Sequence, residues 1–182
     1  KGVPAALFMM VAKTLIKNHA SMNLTPAQIL EKTNRQLCEN NDADMFVTVF
    51  MGILNLRDGG FTFVNAGHNF PLLRREGGGF DWLKSKVRLV LGYADGARYE
   101  DNAMTLSPGD TLFLYTDGVT EAENSREEMF GNERLIGQLN AVPEPDPRAL
   151  LTAVKRAVDD FAGDAPQHDD ITMLALRWIG VS

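Results

Sequence analysis

At 182 residues the chain has the length of one domain, and its 45% hydrophobic and 23% charged shares suit a soluble globular protein with a sizeable core. A net charge of −6, without clustered Lys and Arg, excludes a non-specific nucleic-acid surface. No apolar run approaches the ~18 residues of a membrane span, and the single Cys38 fits a reduced, cytoplasmic chain without an internal disulfide.

The chain opens on Lys1-Gly2-Val3-Pro4, which has neither the basic region nor the cleavage pattern of a signal peptide. A helix starting this early, without an initiator Met, points to a piece of a longer protein. Pro4 suits the first turn of that helix. Leu7, Met10, Val11, Thr14 and Leu15 supply its apolar stripe, and Met9-Met10 read as core packing. Cationic and polar residues at Lys17-Asn18-His19 end it. A second helix opens at Thr25-Pro26-Ala27-Gln28, where Thr25 and Gln28 can form a capping box. Its stripe is Ile29, Leu30, Thr33 and Leu37, and the two helices form a hairpin.

The periodicity then changes. Phe46 to Leu56 reads as a strand buried on both faces, turned by Arg57-Asp58-Gly59-Gly60 into a partner at Phe61–Asn65. Leu72–Arg75 and Phe80–Leu83 form a second hairpin around Glu76-Gly77-Gly78-Gly79. Pro108-Gly109-Asp110 turns into a buried strand, Thr111–Thr116. A helix covers Asn132–Leu139, and Pro143–Pro147 is a loop. Asp146 as cap and Pro147 at the first turn open a helix with Leu150, Leu151, Val154, Val158 and Phe161 on one face. Ile171–Trp178 is a terminal strand. This order predicts an α+β fold in a single domain, residues 1–182, built mainly on antiparallel sheet.

Two acidic clusters stand at strand ends. Asp117-Gly118 follows Thr111–Thr116, and Asp169-Asp170 precedes Ile171–Trp178. If these strands are antiparallel neighbours, Asp117 and Asp169 converge at one sheet edge. Carboxylates held together are best neutralised by a hard cation such as Mg²⁺ or Mn²⁺, and Gly118 would let the backbone approach it. Turn and cap roles account for the same spacing, so the spacing does not decide between them. In Asn65-Ala66-Gly67-His68-Asn69, His68 is a proton donor or a loop-fixing side chain. His168 either tunes a ligand or is a plain loop residue. The Gly77–Gly79 run leads into a strand and lacks a phosphate-cradle context.

Five segments in order carry a family likeness: Lys1–Met9 (KGVPAALFM), Asn65–Asn69 (NAGHN), Leu112–Glu121 (LFLYTDGVTE), Met129-Phe130-Gly131 and His168–Thr172 (HDDIT). Together they resemble the SpoIIE/RsbU type of bacterial PPM phosphatase, relatives of the type 2C protein phosphatases. The resemblance implies an α-β-β-α sandwich with two Mn²⁺ or Mg²⁺ ions held at one end of the sheets by residues matching Asp117 and Asp169. Gly118 and Asp170 would support those ligands, and Asn65, Gly67 and His68 would serve substrate or loop. It further implies a phosphorylated STAS-type anti-sigma-factor antagonist as substrate and a sensor or receiver domain upstream.

The family's bridging aspartate precedes the Lys-Gly at which this chain opens. On this reading the chain lacks its first strands and is inactive or weak by itself, with a sheet edge open to homodimer formation. The reading that competes is a non-catalytic phosphatase-fold module that binds a signalling partner.

Overall fold

The computed structural model describes residues 2–39, 41–143 and 146–180. Lys1 of the opening motif, and Glu144 and Pro145 of the proline-rich loop, lie outside the described residues. The chain divides into two compact units, Lys1–His68 with Ser85–Thr105, and Asn69–Lys84 with Leu106–Ser182.

The first unit carries helices α1 (Val3–Ala20) and α2 (Pro26–Cys38) and strands β1 (Val49–Leu54), β2 (Gly60–Ala66) and β5 (Asn102–Thr105). The capping box forms: Thr25 Oγ1 accepts from the Gln28 amide while Gln28 Oε1 accepts from the Thr25 amide. All four stripe residues of α2 are buried. The three strands make an antiparallel sheet in the order β1-β2-β5, with Leu30, Leu37, Val64, Ala66 and Leu91 in the core.

Two expectations need correction here. In α1 the inward stripe is Phe8, Ala12, Leu15, Ile16 and His19. Leu7, Met9, Met10 and Val11 face solvent instead. The helix is apolar on nearly every side over its first three turns, so its sequence does not specify which side packs. The Phe46–Leu56 run is likewise not buried on both faces. Phe46, Ile53 and Leu56 are exposed; Phe46 and Leu56 lie outside β1, which among the described residues is an edge strand. Strand β5 was not foreseen; its Asn102-Ala103-Met104-Thr105 sequence has no strong β signature.

The second unit holds β3 (Leu72–Arg74), β4 (Phe80–Trp82), β6 (Thr111–Tyr115) and β7 (Met173–Arg177) in an antiparallel sheet ordered β4-β3-β6-β7. Helices α4 (Gly131–Ala141) and α5 (Pro147–Ala162) pack on it, and a single turn, α3 (Asp117–Thr120), follows β6. Asp146 caps α5 by accepting from the Ala149 amide at 2.9 Å. Leu72, Phe113, Leu135, Leu139, Leu150 and Val154 are buried together, and each contributes about 1.5–3 kcal/mol by leaving water. Asp110, 1% exposed, ties the turn before β6 by accepting from the Ser107 and Glu76 amides and from Arg75 Nη1. This packed sheet is the platform on which the acidic residues stand.

Candidate metal centre

The site grows from the pairing of β6 with β7. The two run antiparallel from Thr111↔Arg177 to Tyr115↔Met173. The Thr116 amide extends the ladder by donating to Thr172 O at 3.0 Å. The Thr116 hydroxyl then donates to Asp170 O at 2.9 Å and accepts from the Thr172 amide at 2.9 Å. One threonine therefore pins the 170–172 segment to the end of β6. Asp117 is the next residue on one side, and Asp169-Asp170 lie just upstream on the other. Both clusters reach the same end of the strand pair, as antiparallel neighbours must.

Gly118 makes the close approach possible. It is buried, and a Cβ built on it would lie 2.6 Å from Asp170 O and 3.0 Å from Asp169 O. The absent side chain accommodates the Asp169–Asp170 backbone. Asp117 Oδ1 accepts from the Gly118 amide at 2.9 Å, and Asp117 O accepts from the Glu121 amide at 2.8 Å, closing α3. Gln167 Nε2 donates to Asp169 O at 2.8 Å, bracing the loop from its other side. Asp117 and Asp170 are exposed and Asp169 is half-buried. Among the described residues no group of three or more His, Cys, Asp or Glu gathers where it could hold a metal. Two carboxylates at one edge still match the way Mg²⁺ is commonly bound, by one or two carboxylates with water and substrate oxygens completing the shell.

The other candidate residues belong to the first unit. Asn65 is fully buried, its Oδ1 accepting from the His68 amide at 2.8 Å and its Nδ2 donating to His68 O at 2.9 Å. Between them Gly67 has φ +76°, and a Cβ there would lie against Val90. Asn65 thus closes the loop around His68, which is half-buried. In the second unit His168 is exposed, with Nε2 3.9 Å from Glu123 Oε2. Thr116 and Gln167 escaped the sequence reading as site residues. A hydroxyl directly before the aspartate of a strand-ending Asp-Gly was the available signal for the first; nothing marked the second.

The family model for stage II sporulation protein E (SpoIIE) matches residues 1–179. The chain is 32% identical over 183 residues to "Phosphoserine phosphatase RsbU" of Bacillus subtilis, covering 97% of this chain and 52% of that protein. It therefore spans about half the length of that relative. Among solved structures, the SiaA PP2C domain of Pseudomonas aeruginosa superposes with a TM-score of 0.81 at 26% identity, covering 97% of this chain and 71% of that one. The manganese-presoaked phosphatase domain of SpoIIE from Bacillus subtilis gives a TM-score of 0.62 at 15% identity, over 94% of this chain and 74% of that one. The first of these structures and the sheets and helices described above agree on an α+β fold of the PP2C type.

Proposed function

This chain belongs to the SpoIIE family, and from that premise we propose that it serves metal-dependent hydrolysis of phosphoserine or phosphothreonine on a regulatory protein. The observation that carries the reading is the β6–β7 register, which brings Asp117 and Asp169-Asp170 to one end of the sheet. Asp117 and Asp169 would hold Mn²⁺ or Mg²⁺, and Asp170 and Gly118 would fix the ligands in place. When bound, such ions lower the pKa of a coordinated water and offset charge on the phosphoryl oxygens.

The chain's own contribution is placement. Thr116 fixes where α3 starts, and so where Asp117 stands. Gly118 and Gln167 fix the Asp169 peptide. A ligand set held this rigidly needs little rearrangement when charge develops on the phosphoryl group. No covalent nucleophile is required. The substrate we favour is a phosphorylated STAS-type regulator, with a sensor or receiver domain upstream; both rest on the family.

The test is steady-state turnover of the full-length protein on a phosphoserine-bearing STAS protein at saturating MnCl₂. Asp117→Asn and Asp169→Asn each keep the shape and remove a charge. Each is expected to lose more than the ~10–100-fold typical of a residue that merely supports a ligand, with the melting temperature little changed. Near-normal turnover in either variant would refute the assignment.

A further inference from the structure

A groove of about 940 Å³ runs between α4 and α5 of the second unit, and neither aspartate cluster lines it. Its floor is aromatic: Phe130 and Phe161 meet edge to face at 5.6 Å. Arg134 lies over the Phe161 ring at 4.6 Å and donates to the carbonyls of Met129 and Phe130, which fix its guanidinium, and the Glu128 carboxylate lies near enough to feel its charge. Arg148 and Arg156 stand on the α5 wall, both exposed. Arg148 makes no ion pair among the described residues, and Arg156 has only Asp160, 3.7 Å away. Three arginines and one carboxylate thus line the groove in a chain whose net charge is −6.

We propose that this groove docks an acidic amphipathic helix from a partner protein. The lining along α5 runs from Arg148 to Phe161, which at 1.5 Å per residue is roughly 20 Å, or between three and four helical turns. Arg148 and Arg156 are eight residues apart on one helix, about 12 Å, so they match carboxylates two turns apart on the incoming helix. Apolar side chains between those carboxylates would reach the half-buried Ala153, Ala157 and Phe161, the helix-in-groove mode of recognition. Gly137 opens the α4 wall, since a Cβ there would meet nothing within 4 Å.

Charge complementarity selects this occupant over the others. A lipid surface needs protruding apolar side chains, and among the described residues no large apolar side chain between 131 and 162 is exposed. A nucleic acid would meet the acidic remainder of the chain beyond three arginines. The inference does not depend on the metal centre.

The probe is a fluorescein-labelled 16-residue helical peptide with two Glu eight residues apart and Leu and Phe between them on the same face. Anisotropy is read on the full-length protein, against the same peptide with Glu replaced by Lys. The acidic peptide is expected to bind at least about tenfold tighter than the lysine peptide, and more weakly as salt rises. The double variant Arg148→Glu, Arg156→Glu should lose that preference while its turnover of p-nitrophenyl phosphate stays unchanged. Gly137→Leu, which fills the groove without touching charge, should weaken the acidic peptide as well. Equal binding of both peptides, or indifference to both variants, would overturn the proposal. Tighter binding to phosphatidylserine vesicles than to the peptide would overturn it in favour of a membrane. Self-association that the double variant abolishes in sedimentation equilibrium would assign the groove to a second copy.

Discussion

Replacing Gly118 with alanine adds one methyl group at the point where the two acidic segments meet. The new Cβ would sit 2.6 Å from Asp170 O, whereas ordinary contact begins near 3.4 Å, so the two must part by about 0.8 Å. The obstacle is backbone, and it is tied down: Asp170 O takes the Thr116 hydroxyl and Asp169 O takes Gln167. Overpacking of this kind costs about 1–3 kcal/mol. At roughly 2–4 °C per kcal/mol for a chain of this size, the melting temperature should fall by about 2–12 °C. If Asp169 is a ligand, a displacement near 1 Å should also lower turnover by about 100-fold. Differential scanning calorimetry and Mn²⁺-dependent turnover of the full-length protein read the two effects separately. Gly137→Ala is the control, since its Cβ meets nothing within 4 Å; a helix-interior alanine should raise stability by about 0.5–1 kcal/mol. A Gly118→Ala protein that melts early yet keeps normal turnover and metal affinity would sink the metal reading while sparing the packing one.

Three further outcomes are expected. Asp117→Asn and Asp169→Asn should each abolish most of the heat of Mn²⁺ binding in calorimetric titration of the full-length protein, and an unchanged isotherm would contradict their role as ligands. Asp110→Ala strands the Ser107 and Glu76 amides and removes one partner of Arg75; at about 1–3 kcal/mol per stranded group the loss should be about 2–6 kcal/mol in urea unfolding, and a loss under about 1 kcal/mol would mean the clamp is dispensable. Burial, and then the neighbouring Lys32, hold the His19 imidazole below its ordinary pKa of 6.5. The unfolded chain therefore binds the proton more readily, so His19's contribution is complete above pH 6.5 and is lost as pH falls through the folded-state value. Melting temperatures from pH 8 to 5 should drop less steeply in His19→Gln, and identical slopes would rule out His19 as a source of acid sensitivity.

Much of the fold was legible because several local signals agreed. At α2 a capping box, a first-turn proline and a single apolar stripe all specify one start and one buried face. At α5 Asp146, Pro147 and the Leu150–Phe161 face do the same. The failures fall where one signal was uniform or weak. In α1, Val3, Leu7, Met10 and Val11 are as apolar as Phe8, Leu15 and Ile16, so the packed side is chosen by tertiary contacts that the helix alone does not encode. In β1 a continuous apolar run suits a central strand and an edge strand equally, and the burial of Phe46 or Ile53 depends on neighbours in space. The α4–α5 groove is not legible in the sequence because its arginines are divided between two helices. Arg134 meets Arg148 and Arg156 only once two helices pack side by side.

Asp117 and Asp169 are 52 positions apart, and no local motif sets the distance between them; the register of β6 on β7 does. A slip of one residue would move Asp169 by about 3.3 Å along the strand and turn every β7 side chain to the opposite face. Met173 and Ala175, which pack on the core beneath α5, would then face the other way, and exposed Leu174 would take their place. The apolar core of the second unit therefore selects the register, and the register selects where the carboxylates stand. Thr116 adds the last constraint beyond the end of the ladder, where no side-chain packing remains to hold the chain. The position of the acidic residues is thus a consequence of core packing carried outward along two strands. Mutations at β6 or β7 that loosen this register should disturb the candidate metal centre without touching either aspartate.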